Sequence, residues 1–419
     1  MNSQKNVLVL NAGSSSVKIS LFHLDLSAPA KVLSRLAHAL HDDRQEDTPH
    51  SALWHTEIDF PSPDLDSINW QDFLKQALVP LAKSQISELL QHNKIDIVGH
   101  RIVHGGDKYS QAVFITDEVK ADIEKYIPLA PLHNKISLAQ IKAIEKLLPN
   151  AQQIAVFDTA FHRTLPEAVS FYPLPYKWHE EYGIRRFGFH GINVEYCAQQ
   201  AAHVLGQELS ALSMIVCHLG SGCSLTAVEN GKSINTTMGF TPLDGLMMGT
   251  RSGSIDPGIL IYLLKNKTVT IDQLEFDLNK NSGLKGITQT SDMKAIIDHM
   301  EFQSEAGKLA KLAFEMFIDR LRASICAMRA SLSRLDVLVF TAGIGENSAL
   351  VRQAACAWLG FLGIKVDEEV NERLQIKKGP IFSDISSAKS EAAILVINAQ
   401  EDWAIAEHHV RCLLANENS

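Results

Sequence analysis

VLVLNAGSSSVKISL, Val7 to Leu21, is the stretch that decides the fold. Val7 to Leu10 is an apolar run, and Asn11-Ala-Gly-Ser-Ser-Ser16 is a tip of small and hydroxyl-bearing residues. Val17 to Phe22 then alternates apolar and polar, as a half-buried strand does. Strand, tip and strand predict a hairpin whose backbone N–H groups approach a phosphate closely. An ordinary turn is the alternative; Lys18, just past the tip, favours the anion because it reaches the same place. The pattern returns as MIVCHLGSGCSLTAV, Met214 to Val228, aligning without gaps at an offset of 207. Two such hairpins predict a duplicated unit, with two phosphate-suited tips facing one another across a cleft.

The composition agrees with two domains. A chain of 419 residues is too long for one ordinary core. Hydrophobic residues make up 46% and charged residues 21%, an ordinary globular balance. The net charge of −9, with no dense Lys/Arg run, speaks against a nucleic-acid partner. No apolar run reaches the ~18 residues of a membrane span, so no membrane partner is expected. Met1 to Asn6 lead straight into a strand rather than a signal peptide, and a cytoplasmic protein is expected. Six cysteines (197, 217, 223, 326, 356, 412) form no CxxC pair, which indicates neither zinc nor a disulfide framework.

Between and beyond the hairpins, strands and helices alternate. Strands are predicted at Leu53–Phe60, Asp96–Val103, Gln153–Phe157, Leu335–Phe340 and Ala393–Ile397. Helices are predicted at Trp70–Leu90, Ser137–Leu148, Asn193–Leu205, Glu305–Ala330 and Gln400–Leu414. Pro131-Leu-His133-Asn134 reads as a connection, and Asn230-Gly231 as a type I′ turn. Asp158 closes a strand, where α/β proteins place chemistry, although a helix N-cap explains it equally well. His190, between glycines, is a phosphate donor or a packed loop histidine. Thr341 to Asn347 (TAGIGEN) reads as a Gly-x-Gly turn between strand and helix, with room for a nucleotide.

Met238 to Ile259, MGFTPLDGLMMGTRSGSIDPGI, holds five glycines, two prolines and one cation, Arg251. It is too broken for a regular element and too apolar for a solvated linker. An ordered loop presenting one arginine follows, and that arginine needs an anion. Asp244 or Asp256 within the stretch is one candidate partner; a ligand is the other. Common nucleotide motifs fail. Gly343-x-Gly345 lacks the third glycine at Ser348, Gly220-x-Gly222 lacks it at Leu225, and Gly231-Lys-Ser233 lacks the earlier P-loop glycine at Thr226.

With these residues in view the chain resembles the acetate kinase family, the acetate and propionate kinases. The motifs are NAGSSSVK (11–18), HRIVHGG (100–106), PLHN (131–134), VFDTAFH (156–162), RRFGFHG (185–191), HLGSGCS (218–224), the Arg251 stretch (238–253), SDMK (291–294) and FTAGIGEN (340–347). The resemblance implies an α/β, duplicated actin-like ATPase fold, of the acetate and sugar kinase/Hsp70/actin type, with two domains around a nucleotide cleft. Domains of 1–158 plus 397–419, and of 159–396, are expected. It implies reversible transfer of the ATP γ-phosphoryl to acetate with Mg2+ (Mn2+ substituting), and a homodimer. A propionate-preferring enzyme, or an ATP-switched protein without catalysis, are the alternatives.

Residue by residue, the resemblance makes Asp158, His190 and Arg251 catalytic and gives Arg101 the substrate carboxylate. Val103, Leu132, Phe189 and Pro242 match the acyl pocket. Lys18, His218, Leu219, Gly220, Ser221, Gly222, Asp292, Met293, Lys294, Gly343, Ile344, Gly345, Glu346 and Asn347 match nucleotide-lining positions, and Asn11 and Glu401 the metal site. Ser221 stands where the family usually has Asn, Lys135 where it has Pro, and Ser254 where it has Asp. None of these departures removes a charged catalytic group.

Overall fold

The computed structural model describes residues 4–13, 16–26, 53–61, 67–83, 95–374 and 382–417. The chain divides into two compact units, Met1–Phe161 with Gln400–Ser419, and His162–Ala399. The first unit holds a six-stranded sheet of β1 (Gln4–Ala12), β2 (Ser16–Asp25), β3 (Trp54–Asp59), β4 (Ile97–Ile102), β5 (Val113–Phe114) and β6 (Gln152–Phe157). Their spatial order is β3-β2-β1-β4-β6-β5, with β1, β4 and β6 parallel and the other pairs antiparallel. Val7 to Leu10 are fully covered, which is why this central strand reads as an apolar run rather than an alternation. The described helices of this unit include α1 (Trp70–Lys83), α2 (Asp117–Lys125) and α3 (Pro131–Leu147). Leu74 of α1 and Ile136 and Ile144 of α3 pack with Leu8, Leu10 and Ile19 into one core. The expected extension of α1 to Leu90 lies outside the described residues.

The second unit repeats this sheet. Its strands are β7 (Ser213–Leu219), β8 (Cys223–Glu229), β9 (Lys232–Thr236), β10 (Val337–Thr341), β11 (Phe382–Asp384) and β12 (Ala393–Ile397). The order β9-β8-β7-β10-β12-β11 matches the first sheet strand for strand, in direction as well as position. Duplication is therefore visible in the topology. The register corrects the gapless alignment. Ala12 pairs with Val17 and Leu219 with Cys223, so the first tip is one residue longer. Beyond the tips Lys18 corresponds to Ser224, while Asn11 still corresponds to His218. Asn230 and Gly231 take φ of 53° and 74°, as the type I′ turn requires.

Helices of the second unit include α4 (Gly191–Val204), α5 (Pro257–Lys265), α6 (Ile271–Lys280), α7 (Gly283–Thr288), α8 (Met293–His299), α9 (Glu305–Arg329), α10 (Ala342–Asn347) and α11 (Ala349–Cys356). Helix α9 starts at Ser304, whose hydroxyl accepts the Gly307 N–H, and buries Ala313, Phe317, Leu321, Ile325 and Met328 along one stripe. Leu312 falls off that stripe and is exposed. Three sequence expectations change. Pro131-Leu-His-Asn134 is not a connection but the first turn of α3, with proline at a position that needs no N–H donor. Gly343-Ile-Gly345 is not a turn before a helix but the first turn of α10, because Ala342 adopts φ of 64° and bends the chain directly off β10. The C-terminal helix is interrupted: Glu401–Trp403 is α-helical, Ala404–Val410 is a π-helix, and Arg411–Glu417 is α-helical again.

Candidate active site

In the first unit the parallel strands β1, β4 and β6 end side by side, and their C-terminal ends carry Asn11, Arg101 and Asp158. The start of the C-terminal helix brings Glu401 and Asp402 to the same place. Arg101 Nη2 donates to Asp158 Oδ2 at 2.5 Å and Nη1 donates to Asn11 Oδ1 at 3.3 Å. Its Nε lies 3.7 Å from Glu401 Oε2. The Asn11 amide donates to Glu401 Oε2 at 3.0 Å and to Asp402 Oδ1 at 2.8 Å. Ser20 donates to Asp402 Oδ2 at 2.6 Å. Burial alone would lower the Arg101 pKa, but Asp158 and Glu401 outweigh it and hold the guanidinium above its usual value. Burial pushes the Asp402 carboxyl up, against hydrogen bonds from Ser20 and Asn11 that favour its charged form. Lys18 is exposed on β2 opposite Asn11, Val103 is buried just past β4, and Leu132 lies on the first turn of α3.

The second unit assembles its own group around the tip Gly220-Ser221-Gly222. Gly220 N–H donates to Gly222 O at 3.0 Å, closing the turn. A Cβ on Gly222 would lie 3.1 Å from Arg251 Nη2 and 3.3 Å from His190 Nε2, so the cation and the imidazole converge over a glycine. His190 sits at φ of 60°, a left-handed backbone that only the surrounding packing can hold. Its Nδ1 is 2.9 Å from Ser224 Oγ, and its ring stacks on His218 with centroids 3.9 Å apart. His218 Nδ1 accepts from Asn193 at 2.9 Å, which leaves its proton on Nε2. Arg251 Nη1 donates to Pro242 O at 2.7 Å. The candidate carboxylates are engaged elsewhere. Asp244 lies 3.5 Å from Arg186 and accepts from Ser254, while Asp256 caps α5 through Gly258 N–H.

The Arg251 loop is braced at both ends. Arg186 Nη1 donates to the carbonyls of Thr236, Thr237 and Met238 at 2.9–3.0 Å. Gly253, at φ of 70°, lies so close to the carbonyls of Gly245 and Leu246 that a Cβ would overlap them. Phe189 is buried, and its carbonyl accepts from His162 Nε2 at 2.9 Å.

The expected nucleotide-lining residues divide by exposure. Ser221, Asp292, Lys294, Gly343 and Asn347 are exposed, Gly220 and Ile344 are half-buried, and His218, Leu219, Gly222, Met293, Gly345 and Glu346 are buried. Asp292 caps α8 through Lys294 N–H. Glu346 accepts Ala399 N–H, and the buried Arg352 donates to the carbonyls of Gly345 and Glu346.

A kinase of carboxylates is what this chemistry suits, and the comparisons decide it. The family model described as "Acetokinase family" matches residues 6–407. The chain belongs to the acetokinase family. The acetate kinase of Microcystis aeruginosa is 49% identical over 418 residues, covering 96% of this chain and 98% of that one. That of Synechococcus sp. (strain JA-2-3B'a(2-13)) is 48% identical over 422 residues, covering 96% and 97%. The crystal structure of Porphyromonas gingivalis acetate kinase superposes with a TM-score of 0.78 at 34% identity, covering 98% of this chain and 100% of that one. A propionate kinase from Francisella tularensis subsp. tularensis SCHU S4 gives 0.79 at 34%, covering 96% and 98%. The actin-like fold and acetate kinase chemistry follow for this chain: phosphoryl transfer between ATP and acetate.

Sequence reasoning did not assign Asp402, Ser20, Asn193, Ser224 or Arg186. Asp402 had a signal in its place beside Glu401. Ser224 becomes visible only once the register of the second hairpin is known.

Proposed function

We propose that the protein transfers the γ-phosphoryl group of ATP to acetate, reversibly, with Mg2+, and that the residues described above divide the work. The convergence of Arg251 Nη2 and His190 Nε2 over Gly222 is the observation that carries this reading. Acetate is already an anion and needs little base; the difficulty is bringing two anions together. Arg251 and His190 are assigned to the equatorial oxygens of the transferring group, over which the transition-state charge is spread. In the tautomer in which Ser224 donates to Nδ1, His190 carries its proton on Nε2 for that contact. Arg101, held by Asp158 and Glu401, is assigned to the carboxylate. Asp158 then orients a cation rather than removing a proton.

Asn11, Asp158, Glu401 and Asp402 offer oxygen ligands, and the three carboxylates gather around Arg101 and Asn11. That set suits a hard divalent cation, which would neutralise phosphate charge when bound; Mn2+ is expected to substitute. Lys18 and residues 218–222, 292–294 and 343–347 are assigned to the nucleotide, and Val103, Leu132, Phe189 and Pro242 to the methyl group. Among the described residues no helix is long and apolar enough to cross a membrane. We assign the protein to the cytoplasm as a homodimer without nucleic-acid or membrane partners. Helix α5 supports the dimer: it buries none of its residues, although Ile259, Ile261, Tyr262 and Leu264 lie on it.

Steady-state kinetics of Arg251→Ala and Arg101→Ala test the division of labour. Arg251→Ala should lose roughly 10³-fold or more in kcat, and Arg101→Ala should also raise acetate KM strongly. If Arg251→Ala melts early but keeps near-normal kcat, its role is structural and the assignment is wrong.

A further inference from the structure

The turn that follows Arg101 is held with more care than a surface loop needs. Asn134, on the first turn of α3, makes a reciprocal pair with His104: its Oδ1 accepts the His104 N–H at 3.0 Å, and its Nδ2 donates to the His104 carbonyl at 2.9 Å. Both residues are fully buried. One turn further along α3, Ser137 Oγ donates towards the Arg101 carbonyl at 3.2 Å. Gly105 N–H donates to Thr159 Oγ1 at 3.1 Å, tying the same turn to the residue after Asp158. Neither glycine has space for a side chain: a Cβ at Gly105 would overlap the Phe157 ring, and one at Gly106 the Tyr126 ring. The segment is therefore gripped by its backbone.

We propose that Asn134 is a positioning residue for the acceptor acid, fixing the spacing between the end of β4, which carries Arg101 and Val103, and the first turn of α3, which carries Leu132. The proposal rests on the acetate-site reading above. Two amide hydrogen bonds, to the backbone N–H and C=O of one residue, set both the distance and the rotation of the turn, as a single bond cannot. Arg101 supplies the charge that holds a carboxylate, and Val103 limits the length of the chain attached to it. Loosening the pair weakens the hold on acetate and admits a larger acid, while the nucleotide contacts are untouched.

The test compares kcat and KM for acetate, propionate and ATP in Asn134→Ala, Asn134→Asp and Val103→Ala, with thermal midpoints. Asn134→Asp keeps the acceptor for His104 N–H and sets an oxygen against the His104 carbonyl, so it reads the same contact should the alanine variant not fold. The Asn134 variants should raise acetate KM about 10-fold, and all three should lower the acetate-over-propionate ratio at least ~3-fold, within the 10–200-fold that one methylene controls. ATP KM should stay within about twofold, since no nucleotide contact changes. A wild-type ratio and acetate KM in the Asn134 variants, with Val103→Ala altering the ratio, would overturn the proposal alone. An ATP KM rising in step with acetate KM would also overturn it, leaving only a structural role. A Val103→Ala enzyme with an unchanged ratio would remove the acetate-site reading and this proposal with it.

Discussion

Gly222 shows how closely the group of residues in the second unit is packed. A methyl group there would stand 3.1 Å from Arg251 Nη2 and 3.3 Å from His190 Nε2. Gly222→Ala should therefore shift both groups by a few tenths of an ångström and lower kcat at least ~10-fold, since an aligned site tolerates little misplacement. The thermal midpoint should hardly move, because the glycine has an ordinary φ. Unchanged kcat in a folded Gly222→Ala protein would show that the two groups do not act together. Arg251→Lys should recover little, because one nitrogen serves the Pro242 carbonyl while the other lies over Gly222, a fork that lysine lacks. At this scale the sequence was informative about charged residues in glycine-rich surroundings, Arg251 and His190 among them. It assigned no role to Asn134 or Arg186, whose hydrogen-bond partners are backbone carbonyls and amides. A residue that bonds to backbone leaves no complementary residue type to find.

Among the elements, the hairpins were legible because small-residue tips between apolar strands have few other uses. Their register was not, since one extra residue in a tip leaves the apolar pattern nearly intact. The first turns of α3 and α10 were misread because proline and glycine mark turns in general, and only tertiary packing places them inside a helix. Helix α5 carries its own prediction. It is apolar, yet Ile261 and Tyr262 are 55% and 66% exposed, which suits a face covered by a second copy. Sedimentation equilibrium should show wild-type dimer, and Tyr262→Glu should shift the protein towards monomer. A variant that sediments as wild type would remove α5 from the interface.

For the whole molecule, the matching order of the two sheets is the main architectural fact, and the offset of 207 in the sequence pointed to it. The titration of the core was not foreseeable, because burial cannot be read from a lone histidine. His100 and His162 are both brought from 6.5 to about 4 by burial, against raising hydrogen bonds from Gln153 and the Phe189 carbonyl respectively. The unfolded chain protonates these histidines below pH 6.5 and the folded chain only near pH 4. Stability should thus be level above pH 7 and fall between 6.5 and 4, by on the order of 3 kcal/mol for each histidine. Thermal midpoints across that range should drop, and His100→Gln should flatten the slope; an equally steep slope in the variant would contradict the assignment. The function of the assembled molecule is tested most directly by trapping acyl phosphate as the hydroxamate, with ATP, Mg2+ and formate, acetate, propionate or butyrate in turn. Acetate should give the fastest product formation, propionate a slower but measurable rate, and omission of the metal should abolish both. ATP hydrolysis without any hydroxamate, or a faster rate with propionate than with acetate, would contradict the account.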